Sequence, residues 1–262
     1  MNKVLYKNSE HTILYNDKKC KIMYKDKPYQ DEELNYPSIV LCHFEDDFVN
    51  NQITDAKGNI LTRNDSGGYI TDTYKKFGDK SIIWGGSAST YVMTPLMPEL
   101  NFLTGDFTID FWGRIISGSA RRCFFSLGIN TMRGIQIDIT SNTPCMWVMH
   151  PTKNRWLIGG DAYDYPGTSQ IPIVGGAWNH IAMVRNGGTV TLYINGQVGR
   201  TANIGSASLR NFSSSGASAQ VGTWGIATTS YPMQNGCVDE LRITDKAIWT
   251  EAFTPPTKPY NN

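Results

Sequence analysis

Carboxylates are the residues here whose type and spacing could do chemistry. Hydrolysis of a glycosidic bond uses two of them across the scissile bond, about 5 Å apart in retaining enzymes and about 6.5–9.5 Å apart in inverting ones. Asp106 and Asp110 stand four apart in a run that alternates apolar and polar residues, so they share one strand face. Asp239 and Glu240 are adjacent and are expected on opposite sides of their strand, Glu240 beside Arg242 and Asp239 beside Leu241 and Ile243. A carboxylate on a packed face must be paired or hydrogen-bonded, which predicts a satisfied network that fixes this last strand. The four histidines, His11, His43, His150 and His180, are too scattered to define a site, and His180 reads as a packed, hydrogen-bonded residue. Neither a phosphate-cradling glycine loop nor a nucleophile motif occurs.

The chain that must position these groups has 262 residues, 40% of them hydrophobic and 18% charged, with a formal net charge of +1. That balance gives no support for nucleic-acid binding by the whole chain. No apolar stretch approaches 18 residues, so no membrane-inserted helix is expected. The opening MNKVLYKNSEHT lacks the apolar run of a secretory signal, which predicts assembly in the cytoplasm. Five cysteines, Cys20, Cys42, Cys123, Cys145 and Cys237, are odd in number and widely spaced. They resemble neither a disulfide framework nor a zinc site and are expected to be reduced and structural.

The first 27 residues repeat with a period of nine: Val4-Leu5-Tyr6-Lys7-Asn8, Ile13-Leu14-Tyr15-Asn16-Asp17 and Ile22-Met23-Tyr24-Lys25-Asp26. Each is a short β-prone run followed by a polar turn, which predicts a three-stranded meander. Seven lysines against Glu10, Asp17 and Asp26 make this piece basic. Tyr6, Tyr15, Tyr24, Lys7, Lys18 and Lys25 are therefore its candidate partner-binding residues. Two readings stay open: an anchor or oligomerisation segment, and a strand extension packed on its own main domain. The proline-bounded polar stretch 28–37 reads as a linker, giving a small appendage over 1–37 and one main domain over 38–262.

From Ser38 onward the texture is strand, turn, strand. Strands are expected at 38–44, 81–84, 91–94, 106–115, 122–128, 134–140, 145–149, 155–159, 178–185, 189–195, 218–222 and 236–244. Asn186-Gly187-Gly188 and Asn195-Gly196 mark tight hairpin turns. Val190, Leu192 and Ile194 share one face, and Phe107, Ile109 and Phe111 another. A dozen short strands with no helical partner predict two packed sheets. Trp84, Trp112, Trp178 and Trp249 are expected at least partly inside.

Five segments, in order, resemble a known family: Ile39-Val40-Leu41-Cys42-His43-Phe44-Glu45-Asp46; Lys76-Phe77-Gly78-Asp79-Lys80-Ser81-Ile82; Thr104-Gly105-Asp106-Phe107-Thr108-Ile109-Asp110-Phe111-Trp112; Trp178 to Gly196; and Gly236-Cys237-Val238-Asp239-Glu240-Leu241-Arg242-Ile243 with Phe253-Thr254-Pro255-Pro256 closing. Together they are similar to the laminin-G-like, concanavalin A-like jelly rolls found in phage virion, tail and fibre proteins. The resemblance covers 38–258 and implies an all-β jelly-roll β-sandwich with the small N-terminal β-hairpin appendage outside it.

The resemblance implies a non-enzymatic virion structural protein, in a tail, fibre or head decoration, that displays a glycan- or host-surface-binding sandwich. Its partners would be other virion proteins and copies of itself, trimers being common among fibres and spikes. The alternatives are a free-standing bacterial lectin-like protein and a glycoside hydrolase. Related glycanases carry a Glu-x-Asp-x-x-Glu strand that is missing here, and Phe107-Thr108-Ile109 between Asp106 and Asp110 fits the noncatalytic motif. Some relatives bind calcium, for which Glu45, Asp46 and Asp47 or Asp161 and Asp164 are the donors at hand, although neither set has the spacing of a defined calcium loop. No other cofactor is expected. Glycan recognition needs an aromatic platform with polar neighbours in rim loops. Asp161, Tyr163, Asp164 and Tyr165 in 159–168, with Trp224 and Tyr231 in a second loop, supply that mixture.

Overall fold

Short strands follow one another through the described residues of the computed structural model, many of them carrying an apolar–polar alternation. It describes residues 12–15, 18–21, 36–64, 67–85, 90–129, 132–212, 214–224 and 231–261. The chain falls into two compact units, Met1–Asp31 and Glu32–Asn262.

In the first unit, β1 (Thr12–Tyr15) and β2 (Lys18–Lys21) form an antiparallel hairpin with Ile13 opposite Cys20 and Tyr15 opposite Lys18. The second strand therefore uses Lys18-Lys19-Cys20-Lys21, which the nine-residue repeat assigns to a turn. With Tyr15 opposite Lys18, the second strand starts at Lys18, four residues before the Ile22 at which the repeat resumes. The third expected strand, 22–26, lies outside the described residues, as do Tyr6, Lys7, Tyr24 and Lys25 and the side chains of Tyr15 and Lys18.

The second unit begins with β3 (Val40–Cys42), β4 (Gln52–Thr54), β5 (Ile60–Arg63), β6 (Gly68–Thr71), β7 (Ser81–Trp84) and β8 (Val92–Met93). Next come β9 (Phe107–Ile115), β10 (Arg122–Ile129), β11 (Met132–Thr140), β12 (Thr143–Met149), β13 (Trp156–Gly159) and β14 (Tyr165–Pro166). The last are β15 (Asn179–Asn186), β16 (Thr189–Ile194), β17 (Gln197–Asn203), β18 (Ser218–Val221) and β19 (Gly236–Thr244). One sheet runs β14-β13-β12-β11-β10-β18-β8-β5-β4; the other runs β17-β16-β15-β9-β19-β7-β6, with β3 also paired to β19. All twelve expected strands form. The additional ones, β4, β5, β6, β14 and β17, are short or polar and lie at or near the sheet edges, where alternation is weak.

The two sheets enclose one large core. Phe107, Ile109 and Phe111 of β9 and Val190, Leu192 and Ile194 of β16 meet Phe125, Leu127, Ile135, Ile137 and Ile139 from the nine-stranded sheet. Each large side chain so buried contributes about 1.5–3 kcal/mol. The expected tryptophans behave differently: Trp84 is in this core, whereas Trp112 and Trp249 are buried outside it. Trp178 is only half-buried. Trp84 apart, phenylalanine and aliphatic residues fill the inter-sheet space.

Strand β19 departs from alternation. A bulge lies between Asp239 and Arg242, and Glu240 takes φ 54° there. Val238, Leu241 and Ile243 consequently face the core, and Asp239, Glu240 and Arg242 are all turned away from it. The extra residue explains why Asp239 does not share a face with Leu241 and Ile243. Glu240 does not pair with Arg242 either. It accepts from Tyr260 N (3.0 Å) and engages His43 Nδ1 (2.8 Å), while Arg242 grips Asp110 through Nε (3.0 Å) and Nη2 (3.2 Å).

Candidate functional site

The same bulge device builds a second structure on the opposite side of the molecule. The β10–β11 register shifts between Cys123 and Phe125. Phe124 and Phe125 thus both enter the inter-sheet core, while Cys123 stays on the outer face. On β12 the apolar run Cys145-Met146-Trp147-Val148-Met149 sends Met146 and Val148 inward and the other three outward. With Trp156 of β13 and Trp224, these outward residues form a separate apolar cluster on the outer face of the nine-stranded sheet.

Three tryptophans meet edge to face there. Ring centroids are 5.3 Å apart for Trp147 and Trp156, 5.0 Å for Trp147 and Trp224, and 5.5 Å for Trp156 and Trp224. Tyr163 stands 5.6 Å from Trp147 and Tyr231 5.6 Å from Trp224. The tryptophans are less than a tenth exposed, but Tyr163 is 37% and Tyr231 45% exposed. Tyr231 holds a positive φ of 46°, a conformation unfavourable for a bulky residue, and its carbonyl accepts from Cys123 N (3.0 Å). Gly159 admits the rings: a Cβ there would sit 2.6 Å from Trp147 and 2.8 Å from Tyr163.

Arg121 lies among these rings, its guanidinium carbon 4.0 Å from the Trp224 centroid, 4.6 Å from Tyr231 and 4.8 Å from Trp147. Its Nε donates to Asp138 Oδ2, and Trp147 Nε1 donates to Asp138 Oδ1 at 2.8 Å. Burial pushes the Asp138 carboxyl up to about 6, with Arg121 and Trp147 pulling the other way. A hollow of about 330 Å³ opens over Arg121, Arg133, the three tryptophans, Tyr163 and Tyr231. A second, of about 210 Å³, adjoins it through Arg121 and Trp147 and is otherwise lined by Asp138, Thr140, Thr143, Cys145, Gly160 and Thr168.

This arrangement sits on a sandwich that has recognisable kin. The profile of the Concanavalin A-like lectin/glucanases superfamily matches residues 85–251. The chain belongs to that superfamily. Among solved structures, the binding domain of botulinum neurotoxin serotype G is similar, with a TM-score of 0.56 and 14% identity over 80% of this chain and 48% of that one. The binding domain of Paraclostridial Mosquitocidal Protein 1 has a TM-score of 0.57 and 17% identity over 82% and 50%. The botulinum neurotoxin DC binding domain, solved with rat synaptotagmin II, has a TM-score of 0.57 and 16% identity over 82% and 49%. At such identities the likeness is one of fold, and this chain spans about half the length of those domains. No curated protein sequence matches it.

Within this concanavalin A-like sandwich, three of the six residues expected to bind ligand come together: Tyr163, Trp224 and Tyr231 all line the larger hollow. The other three have different partners. Asp164 is clamped by Arg155 (2.7 and 2.6 Å), and Asp161 lies 3.7 Å from Arg200 Nη2. Tyr165 packs against the inter-sheet core. The platform is also placed differently from the expectation, on a sheet face with two loop tyrosines at its margin. Trp147, Trp156, Arg121, Arg133 and Asp138 went unrecognised in the sequence. A signal existed in Cys145-Met146-Trp147-Val148-Met149, a strand apolar on both faces and so covered on both.

The calcium donors are not assembled. Glu45 accepts from Asp79 N (3.0 Å) and Lys80 N (3.1 Å), Asp47 pairs with Lys80 Nζ (3.1 Å), and Asp46 is exposed. Asp161 and Asp164 are held by separate arginines. Among the described residues no group of three or more Asp, Glu, His or Cys side chains is placed to hold a metal ion. The Asp106–Asp110 pair is likewise divided: Asp106 accepts from Gly187 N (2.7 Å), while Asp110 is wholly buried among Arg242, His180 and Tyr260.

Proposed function

We propose that the chain is a non-enzymatic glycan-binding sandwich displayed on a phage particle. The observation that carries the binding reading is the hollow over Tyr163, Tyr231 and Arg121. Sugar rings present C–H faces that pack on aromatic rings and hydroxyls that need directional polar partners. Two half-exposed tyrosines backed by packed tryptophans, beside an arginine, offer both. Binding domains of similar fold in the botulinum and mosquitocidal proteins support a recognition role. Hydrolysis would need a second carboxylate, and among the described residues lining the two hollows Asp138 is the only one.

The virion setting rests on the resemblance of the opening strand and of the closing Phe253-Thr254-Pro255-Pro256 to phage proteins. In this reading the lysine-rich first unit docks on other virion proteins, and the assembled molecule is a homo-oligomer. Screening wild type and Y163A/Y231A on a glycan array tests the binding role. Saturable wild-type binding lost in the double variant is expected, and absence of binding to every glycan would sink it. Mass spectrometry of purified virions tests the setting: a fixed copy number is expected, and absence from particles would leave a free lectin-like protein.

A further inference from the structure

The charge of the larger hollow narrows the ligand. Two arginines line it, Arg121 and Arg133, and among the described residues no carboxylate does. Asp138 lies behind Arg121 and engages only its Nε. The guanidinium Nη2 of Arg121 is buried with no hydrogen-bond partner, although the side chain as a whole keeps 27% of its surface exposed. A buried guanidinium nitrogen without an acceptor costs the full desolvation of a charged donor. Arg133 forms no ion pair with a carboxylate among the described residues. Nearby arginines that do have carboxylates, Arg155 with Asp164 and Arg200 with Asp161, lie outside the lining of this hollow.

Neutral sugars offer hydroxyls, which satisfy aspartate, asparagine and backbone groups as readily as arginine. An arginine fork matches a planar or tetrahedral anion and holds it through parallel hydrogen bonds. The stacked rings keep the Arg121 guanidinium in place, so little side-chain freedom is lost when an anion arrives. Resting on the glycan-binding reading above, we propose that this hollow selects glycans bearing an anionic sugar. The negative group would sit between Arg121 and Arg133, and the sugar ring against Tyr163 and Tyr231. A carboxylate and a sulfate satisfy the same chemistry.

Isothermal titration with matched pairs tests this: 3′-sialyllactose against lactose, a glucuronate disaccharide against its reduced neutral form, and a sulfated against an unsulfated galactoside. The expected result is that an acidic member binds at least about tenfold more tightly than its neutral partner, the effect of one charged hydrogen bond. Its affinity should fall as salt is raised. Which acidic member responds separates carboxylate from sulfate. R121M and R133M should each lose about tenfold or more, with folding checked by circular dichroism. D138N, which removes the competing carboxylate, should bind at least as well as wild type. Equal binding of acidic and neutral partners would overturn this inference and leave the glycan reading standing. Failure of all six sugars, together with a blank glycan array, would remove that reading as well.

Discussion

Trp147 Nε1 and Asp138 Oδ1 are joined by a 2.8 Å hydrogen bond across the β11–β12 pair, so the aromatic cluster and the carboxylate behind Arg121 form one unit. The bond favours the ionised carboxylate. W147F should preserve the aromatic packing, remove the donor and raise the Asp138 midpoint further above about 6. A carboxyl-carbon NMR titration would read the change, and an unmoved or lowered midpoint would contradict it. W147A removes the ring itself and should destabilise the chain by about 3–5 kcal/mol, measured by urea unfolding.

Binding of an anionic glycan should strengthen as pH falls through about 6, where Asp138 gains its proton and releases Arg121. The other titratable and charged groups that bear on Asp138 are Arg121, Cys123 and Cys145. Burial pushes both thiols up, Cys145 to about 12, so they stay neutral throughout this range. Sugar carboxylates and sulfates remain ionised at pH 5, so Asp138 sets the trend. Affinity measured from pH 5 to 8 should decline in wild type and be flat in D138N. A flat wild-type profile would show that Asp138 does not compete for Arg121.

Short apolar or alternating runs between turn signals were enough to locate twelve strands of the sandwich, clearest where residues such as Phe107, Ile109 and Phe111 have a single apolar face to bury. Alternation failed at the bulges. Near Glu240 and between Cys123 and Phe125 one extra residue reverses which side chains share a face, and no residue type announces that shift. The candidate site was legible only at its margin. Tyr163 and Tyr231 stand in polar loops where an aromatic residue draws notice, whereas Trp147 and Trp156 sit in apolar strands that read as core. Arg121 and Asp138 are brought together by strand pairing across 17 residues, which local pattern does not report.

Asp239 gives stability a pH dependence opposite to that of a salt-bridged carboxylate. Burial pushes its carboxyl up to about 8, Glu240 adds to this, and hydrogen bonds from Lys76 N and Phe77 N oppose it. The folded chain therefore holds this proton more tightly than the unfolded chain, whose aspartates titrate near 3.9. Stability falls as pH rises between about 4 and 8 and levels off above that, with up to about 1.4 kcal/mol lost per pH unit. D239N keeps an oxygen for the two amides and removes the proton. Its unfolding free energy relative to wild type should rise by a few kcal/mol from pH 5 to pH 8. A constant difference would show that Asp239 ionises normally.

The Asp110 cluster, on the outer face of the eight-stranded sheet, predicts the steepest losses. Burial alone would raise the Asp110 carboxyl, but Arg242 and His180 outweigh it and hold the group below the usual range. Asp110 accepts from both Arg242 nitrogens, from His180 Nε2 at 3.2 Å and from the Tyr260 hydroxyl, and none of these four side chains is appreciably exposed. R242L removes the main counter-charge and leaves a buried carboxylate, a loss of about 3–5 kcal/mol. Y260F removes one hydroxyl and leaves the ion pair intact, so it should cost only about 1 kcal/mol. D110N in the R242L background makes the site neutral and should recover part of the loss. Urea unfolding of wild type, D110N, R242L, D110N/R242L and Y260F at pH 7 would decide. Additive losses in D110N/R242L would mean that the two residues do not act as a pair, and recovery would establish charge compensation as the reason both are present.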